Sequence, residues 1–160
     1  MKLLKHAKFL GLLVVTSLLF ACGGGGGGSD APPIFTLKLK TVAANNPTYT
    51  GLIGSINDLQ VTLPAGVSVY PATSGVKATG NAAGGSVAIN TTGQTTRISL
   101  AKAEGFAAGE FLTISCGYSG TTPPTLASII ISEGVNYKIA DLEGNPVTSS
   151  FTIEKIVPTP

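Results

Sequence analysis

The chain of 160 residues has no tryptophan, a single histidine (His6) and two cysteines, Cys22 and Cys116. Charged residues make up only 11% of it. Each shortage removes a class of chemistry. Histidine is the commonest general base near neutral pH and the commonest metal ligand, and position 6 is its one occurrence. One histidine and two cysteines cannot build a four-ligand Cys/His zinc centre. Lysine and arginine are few and scattered, so the basic footprint of a nucleic-acid partner is missing. The absence of tryptophan removes the broadest platform for stacking a sugar ring. Long helical periodicity is absent as well. No catalytic residue, metal ligand or cofactor is therefore expected.

What is present begins with a leader. Lys2, Lys5 and Lys8 make a basic start, and Phe9 to Phe20 is apolar except for Gly11, Thr16 and Ser17. That stretch is short of the about 20 apolar residues that span a bilayer. A basic start, a short apolar core and a small residue before the cut describe a secretory signal peptide. The junction Leu19-Phe20-Ala21-Cys22 resembles the lipobox of bacterial lipoproteins; Leu19, Ala21 and Cys22 fit it, and Phe20 is bulkier than the pattern. The resemblance implies cleavage before Cys22, a thioether-linked diacylglycerol on its sulfur, and acylation of the new amino group by a chain such as palmitate. Residues 1–21 are then a removed signal peptide and Cys22 is the lipidation site. Acyl chains contribute about 0.8 kcal/mol per buried CH₂, and more than one chain gives stable anchoring. Gly23, in place of Asp, points to the outer membrane of a Gram-negative bacterium, facing periplasm or cell surface.

Residues 22–33 continue with glycine from Gly23 to Gly28 and end on Pro32-Pro33. Nothing there can be buried, so the segment reads as a flexible tether stiffened at its end. Loss of Lys2, Lys5 and Lys8 leaves seven of the ten basic residues against eight acidic ones, close to neutrality. It also leaves Cys116 as the only free thiol, with no partner for an internal disulfide.

From residue 34 to 157 the composition is that of one domain, roughly 125 residues and enough for a single core. Period-two alternation recurs along it. It is seen at Phe35, Leu37 and Leu39, at Leu59, Val61 and Leu63, and at Ile98 and Leu100. It is seen again at Leu112, Ile114 and Cys116, at Val135, Tyr137 and Ile139, and at Phe151 and Ile153. Turn-forming clusters separate these runs: Asn45-Asn46-Pro47, Gly80-Asn81, Gly84-Gly85, Thr92-Gly93 and Gly144-Asn145-Pro146. Many short strands with such punctuation predict an all-β fold, an antiparallel β-sandwich of jelly-roll type with about eight or nine strands. Thr125 to Ser132 fits either a helical turn or a buried strand. Lys102 to Ala108 could hold a short helix, weakened by Gly105.

Three segments resemble the cohesin family. Gly54 to Val67 (Gly-Ser-Ile-Asn-Asp-Leu-Gln-Val-Thr-Leu-Pro-Ala-Gly-Val) is similar to the early strands of cohesin-type domains. Lys102 to Ile114 is similar to the loop that leads such a domain into a central strand, and Asp141 to Val147 to the Asp-x-x-Gly turn before the last strand. Their order is right, and together they span most of Phe35 to Ile156. The resemblance implies a nine-strand sandwich, shared with carbohydrate-binding modules, that docks a dockerin-like protein partner. It implies a binding domain rather than an enzyme.

Individual residues invite sharper readings. Cys116 shares a face with Leu112 and Ile114 and reads as a core thiol, since no histidine is there to activate it. Glu104 and Glu110 flank a loop in the manner of a glycosidase pair, but glycine-rich loops usually carry solvated acids. Asp141, Glu143 and Asn145 could offer oxygens to calcium; an Asx-type turn is the simpler account. Tyr49, Tyr70, Tyr118 and Tyr137 could stack on sugars or simply close the rim of the core. The expectation is a non-catalytic, lipid-anchored binding module. Its partner is a dockerin-like protein, with polysaccharide or a purely structural envelope role as alternatives.

Overall fold

A computed structural model describes residues 31–45 and 47–156. The leader, Cys22, most of the tether and Asn46 lie outside the described residues, as does Val157, the expected end of the domain. The strands are β1 (Ile34–Ala43), β2 (Ile53–Thr62), β3 (Val67–Val69), β4 (Val76–Ala78), β5 (Ser86–Thr92), β6 (Thr95–Phe106), β7 (Gly109–Tyr118), β8 (Ile130–Asp141) and β9 (Phe151–Ile156). They form two antiparallel sheets. The first has the order β3-β7-β1-β9, with β4 also pairing to β7; the second has the order β5-β6-β2-β8. The fold is an all-β sandwich of nine strands among the described residues.

Alternation explains the layering. Leu37 and Leu39 on β1, with Leu112, Ile114 and Cys116 on β7, point inward from the first sheet. Ile56, Leu59 and Val61 on β2, Ile98 and Leu100 on β6, and Ile139 on β8 meet them from the second. Each side chain of this size contributes about 1.5–3 kcal/mol when fully buried. Phe106 and Phe111, either side of the β6–β7 turn, stack with ring centroids 6.4 Å apart. That contact ties the two sheets together at one end. The β5–β6 hairpin turns in two residues, with Gly93 at φ +59°, the positive φ that tight hairpins need.

Three segments differ from the sequence reading. Lys102 to Phe106 is strand, not helix. Gly105 takes φ +68°, and the turn beyond it is held by the Asn81 side-chain amide donating to Ala107 O (3.3 Å) and Ala108 O (2.8 Å). Thr125 to Ser132 is neither alternative alone: a 3-10 turn at Leu126–Ser128 runs into the start of β8. Val135 does not share the inward face of Ile139; it is 92% exposed. The reason is an irregularity centred on β2. Asn57 and Asp58 together oppose Ser99 of β6, while on the other side β8 passes from Lys138, opposite Asn57, to Glu133, opposite Leu59. The residues from Gly134 to Tyr137 therefore bow out opposite Asp58, and the period breaks. Asp58 is the only non-glycine residue at positive φ (+50°) among the described residues.

Candidate functional site

The two outer faces of the sandwich differ in charge. On the first sheet, Lys38, Thr113 and Lys77 align in register across β1, β7 and β4. Beside them lie the ion pairs Lys38–Glu110 (3.2 Å) and Lys40–Glu154 (3.1 Å). The second sheet carries mainly uncharged polar rows instead, with Arg97 in one of them and Lys138 farther along β8, opposite Asn57. Asn90, Arg97, Gln60 and Ser132 form one row; Thr92, Thr95 and Thr62 form the next. The hydroxyls of Thr62 and Thr95 bond each other at 3.0 Å. Arg97 is the lone cation of these two rows, 3.7 Å from Asp58 Oδ1. Gln60, Asn90, Thr92, Thr95 and Arg97 line a shallow depression of about 430 Å³.

The Asp58 irregularity borders this face. The Asp58 N–H donates to Ser99 Oγ (3.3 Å), and its Oδ2 accepts the Asn136 N–H (3.0 Å). A Cβ on Gly134 would overlap the Asp58 carboxylate, so glycine is needed where the two strands close in. Bulges of this kind re-aim side chains and bend a strand. Here Val135 is turned out to solvent and the face ends in a ridge.

The residues singled out from the sequence fall in separate places. Cys116 is fully buried, its Sγ donating weakly to Ile114 O at 3.9 Å, and burial pushes the thiol up to about 12. That is the behaviour of a core residue rather than a nucleophile. Glu104 lies exposed on β6 of the second sheet, whereas Glu110 lies on β7 of the first and pairs with Lys38. The two are not held as a facing pair.

Asp141 and Asn145 form the Asx-type turn. The Asn145 N–H donates to Asp141 Oδ1 (2.8 Å) and the Asn145 amide to Asp141 Oδ2 (3.0 Å). Burial works against the charged form of Asp141, but the bonds from Asn145, Glu143 and Gly144 outweigh it and hold its carboxyl below the usual value. Both carboxylate oxygens are thus used within the turn. Among the described residues no group of three or more His, Cys, Asp or Glu side chains is placed to hold a metal ion.

Of the tyrosines, Tyr49 packs edge-on against Phe151 and Tyr118 tilts against Phe35. Tyr137 is half-buried, and burial, then the charge of Glu133, pushes its hydroxyl up to about 12. Tyr70 is different: with Val69, Pro71, Ala72 and Ile89 it lines a groove of about 690 Å³ beside β3 and β5. A second groove, about 680 Å³, runs between β8 and β9 and is lined by Leu126, Ile129, Ile130, Ile131 and Ile153. Lys155 closes it, donating to Leu126 O (2.6 Å) and Ile129 O (2.8 Å). Neither groove was visible in the sequence, because each lies where a strand of one sheet meets a strand of the other.

No protein-family model and no curated protein matches the sequence. A solved structure does match in shape: the non-cellulosomal cohesin from the hyperthermophilic archaeon Archaeoglobus fulgidus. The likeness covers 80% of this chain and 83% of that one, with a TM-score of 0.52 and 16% sequence identity. The fold is cohesin-like. At that identity the shared feature is the path of the backbone, and the side chains of the cohesin-like sheets have to be argued on their own chemistry.

Proposed function

We propose that this chain is a non-catalytic binding module, carried on a lipid anchor at Cys22, that docks a protein partner through the outer face of the β5-β6-β2-β8 sheet. The cohesin-like fold supports a binding role. The contrast between the two faces is the observation that carries the choice of surface. Interface cores are depleted in charge, because every buried ion must shed water. Apart from Arg97, the rows from Asn90 to Ser132 and from Thr92 to Thr62 can donate and accept hydrogen bonds at little such cost. The face bearing Lys38, Lys40, Lys77, Glu110 and Glu154 would have to desolvate five charges.

The test is capture from envelope and secreted fractions on the immobilised chain, with and without calcium. Wild-type protein is compared with Thr95→Arg/Ser99→Arg on one face and Lys77→Glu on the other. The expected result is a discrete protein retained by wild type and by Lys77→Glu, and lost with the paired arginines. Loss on chelation would identify the partner as dockerin-like. Equal retention by all three proteins would refute the assignment of the face. The anchor is checked separately, by the mass of the N-terminal peptide: a diacylglycerol on Cys22 is expected, in an outer-membrane fraction.

Polysaccharide is the second reading, and the Tyr70 groove favours it. Saturable retention on insoluble polysaccharide that disappears in Tyr70→Ala would move the assignment there.

A further inference from the structure

Each sheet has two edges, and among the described residues all but one are blunted. β3 and β4, which lie along the same side of β7, have three residues each. β9 has six and carries Glu154 and Lys155. β8 is longer, but it bows out between Gly134 and Tyr137 and carries Glu133, Lys138 and Asp141. Short strands, charges and bulges are the devices that keep a sheet from adding a strand. β5 has none of them. Its seven residues, Ser-Val-Ala-Ile-Asn-Thr-Thr, include no charge and no proline. It pairs with β6 without a break in register, from Ser86 opposite Ala101 to Thr92 opposite Thr95.

The two-residue turn after Thr92 determines which backbone groups are free. It makes Thr92 and Thr95 a hydrogen-bonded pair, and the alternation then commits Asn90, Ala88 and Ser86 to β6 as well. The N–H and carbonyl of Val87, Ile89 and Thr91 point the other way, off the edge of the sheet. No other described residue hydrogen-bonds to them. Beside them lies the groove of about 690 Å³, lined by Ile89 and Thr91 of β5 and by Val69, Tyr70 and Pro71 at the end of β3.

The strand is also self-complementary. Laid antiparallel to its own copy and centred on Ile89, it sets Val87 opposite Thr91, Ala88 opposite Asn90 and Ser86 opposite Thr92. Val87, Ile89 and Thr91, which hold the free groups, then meet one another, and each of these pairs exchanges both of its bonds. Their side chains meet on the side of the core and the groove, while the exposed Ala88 and Asn90 meet on the outer side. No like charges come to lie opposite each other, as they would on a charged edge. The arrangement has a two-fold axis and uses the same surface twice, the commonest symmetry of a homodimer.

We infer that β5 is a self-association edge: two copies of this chain pair antiparallel through Ser86–Thr92 and join their second sheets into one, with the Ile89 of each set against the groove of the other. This goes beyond the sheet-face reading and does not depend on it.

The test is made on the full chain. The two-fold axis sets position 88 of one copy opposite position 90 of the other. Ala88→Cys and Asn90→Cys are therefore prepared separately, mixed and mildly oxidised. Directly opposed residues are close enough to bridge, whereas positions two residues out of register lie about 7–8 Å apart, beyond the reach of a disulfide. A cross-linked dimer is expected in the mixture at about tenfold or more over either variant alone. Light scattering on the detergent-solubilised chain gives its mass. Wild type should be dimeric, Ala88→Lys/Asn90→Lys monomeric, and an equal mixture of that variant with Ala88→Glu/Asn90→Glu dimeric again. Thr91→Pro should be monomeric yet folded, because the Thr91 N–H faces off the sheet, where proline is tolerated. Circular dichroism melts of each variant separate loss of pairing from loss of fold. Equal cross-linking in the mixture and in either variant alone would overturn the inference. So would a monomeric wild type, or a lysine variant as dimeric as wild type. Failure of the envelope capture would leave this result untouched.

Discussion

The Asp58 carboxylate occupies the space that a Cβ on Gly134 would need, and from there it accepts the N–H of Asn136 at 3.0 Å. One acidic side chain thus holds open the irregularity between β2 and β8. Gly134→Ala should cost about 1–3 kcal/mol, the range for overpacking a filled site. Asp58→Gly should lose the hydrogen bond but suit the positive φ. The double variant should then be more stable than the sum of the two losses predicts, because the clash is gone. Urea denaturation of the four proteins measures this. Additive losses would show that the two residues do not compete for one space.

Lys155 offers a second test. Its ammonium serves the carbonyls of Leu126 and Ile129, the residues that lead into β8. Lys155→Met keeps the stem and removes the donors. The Ile129 N–H still serves Leu126 O, so leaving these part-buried carbonyls short of a partner should cost about 1 kcal/mol. Hydrogen exchange should show the loss concentrated at residues 126–131. A variant as stable as wild type would mean that water replaces the ammonium freely.

The ion pairs of the charged face should matter little. Lys38–Glu110 and Lys40–Glu154 are both solvent-accessible. Lys38→Met and Lys40→Met should each shift stability by less than about 1 kcal/mol. A larger loss at low salt would reveal coupling among these charges.

Stability should depend on pH at both ends of the scale. Cys116 and Tyr137 are held protonated up to about 12 in the folded chain, against 9.0 and 10.0 for their ordinary values. As pH rises from about 9 towards 12 the unfolded chain releases these protons first, so stability is full below that window and falls through it. Cys116→Ala should flatten the early part of the fall. At the acid end Asp141 is held below its ordinary 3.8 by its hydrogen bonds. Its contribution is present above that value and is lost as pH falls through the lower folded value; Asp141→Asn should remove that dependence. Denaturation midpoints across pH check both. A flat alkaline limb in wild type would contradict the burial of the thiol.

The two-layer fold was legible because its central strands alternate cleanly. Leu37 and Leu39, Ile98 and Leu100, and Leu112, Ile114 and Cys116 all face the core as their spacing requires. What was not legible depends on partners across the sheet. Val76–Ala78 is a strand of three residues, too short for a periodic signal, and is defined by its pairing with β7. The bow in β8 is invisible in its own sequence, since its cause is Asp58 on β2. Val135 was misplaced for that reason. The Asx turn was readable from Asp141 and Asn145, because an Asx turn needs only local bonds. The polar rows of the second sheet were not, since they depend on which residues align in register.

The first strand is completed by the last. β9 pairs with β1 from Lys38 to Ala43 and covers that side of the first strand. A nascent or truncated chain lacking Phe151 to Ile156 would display the bare edge of β1, a template for aberrant pairing. The protection of β1 therefore rests on a segment far from it along the chain, and the first strand is held on one side only until β9 docks.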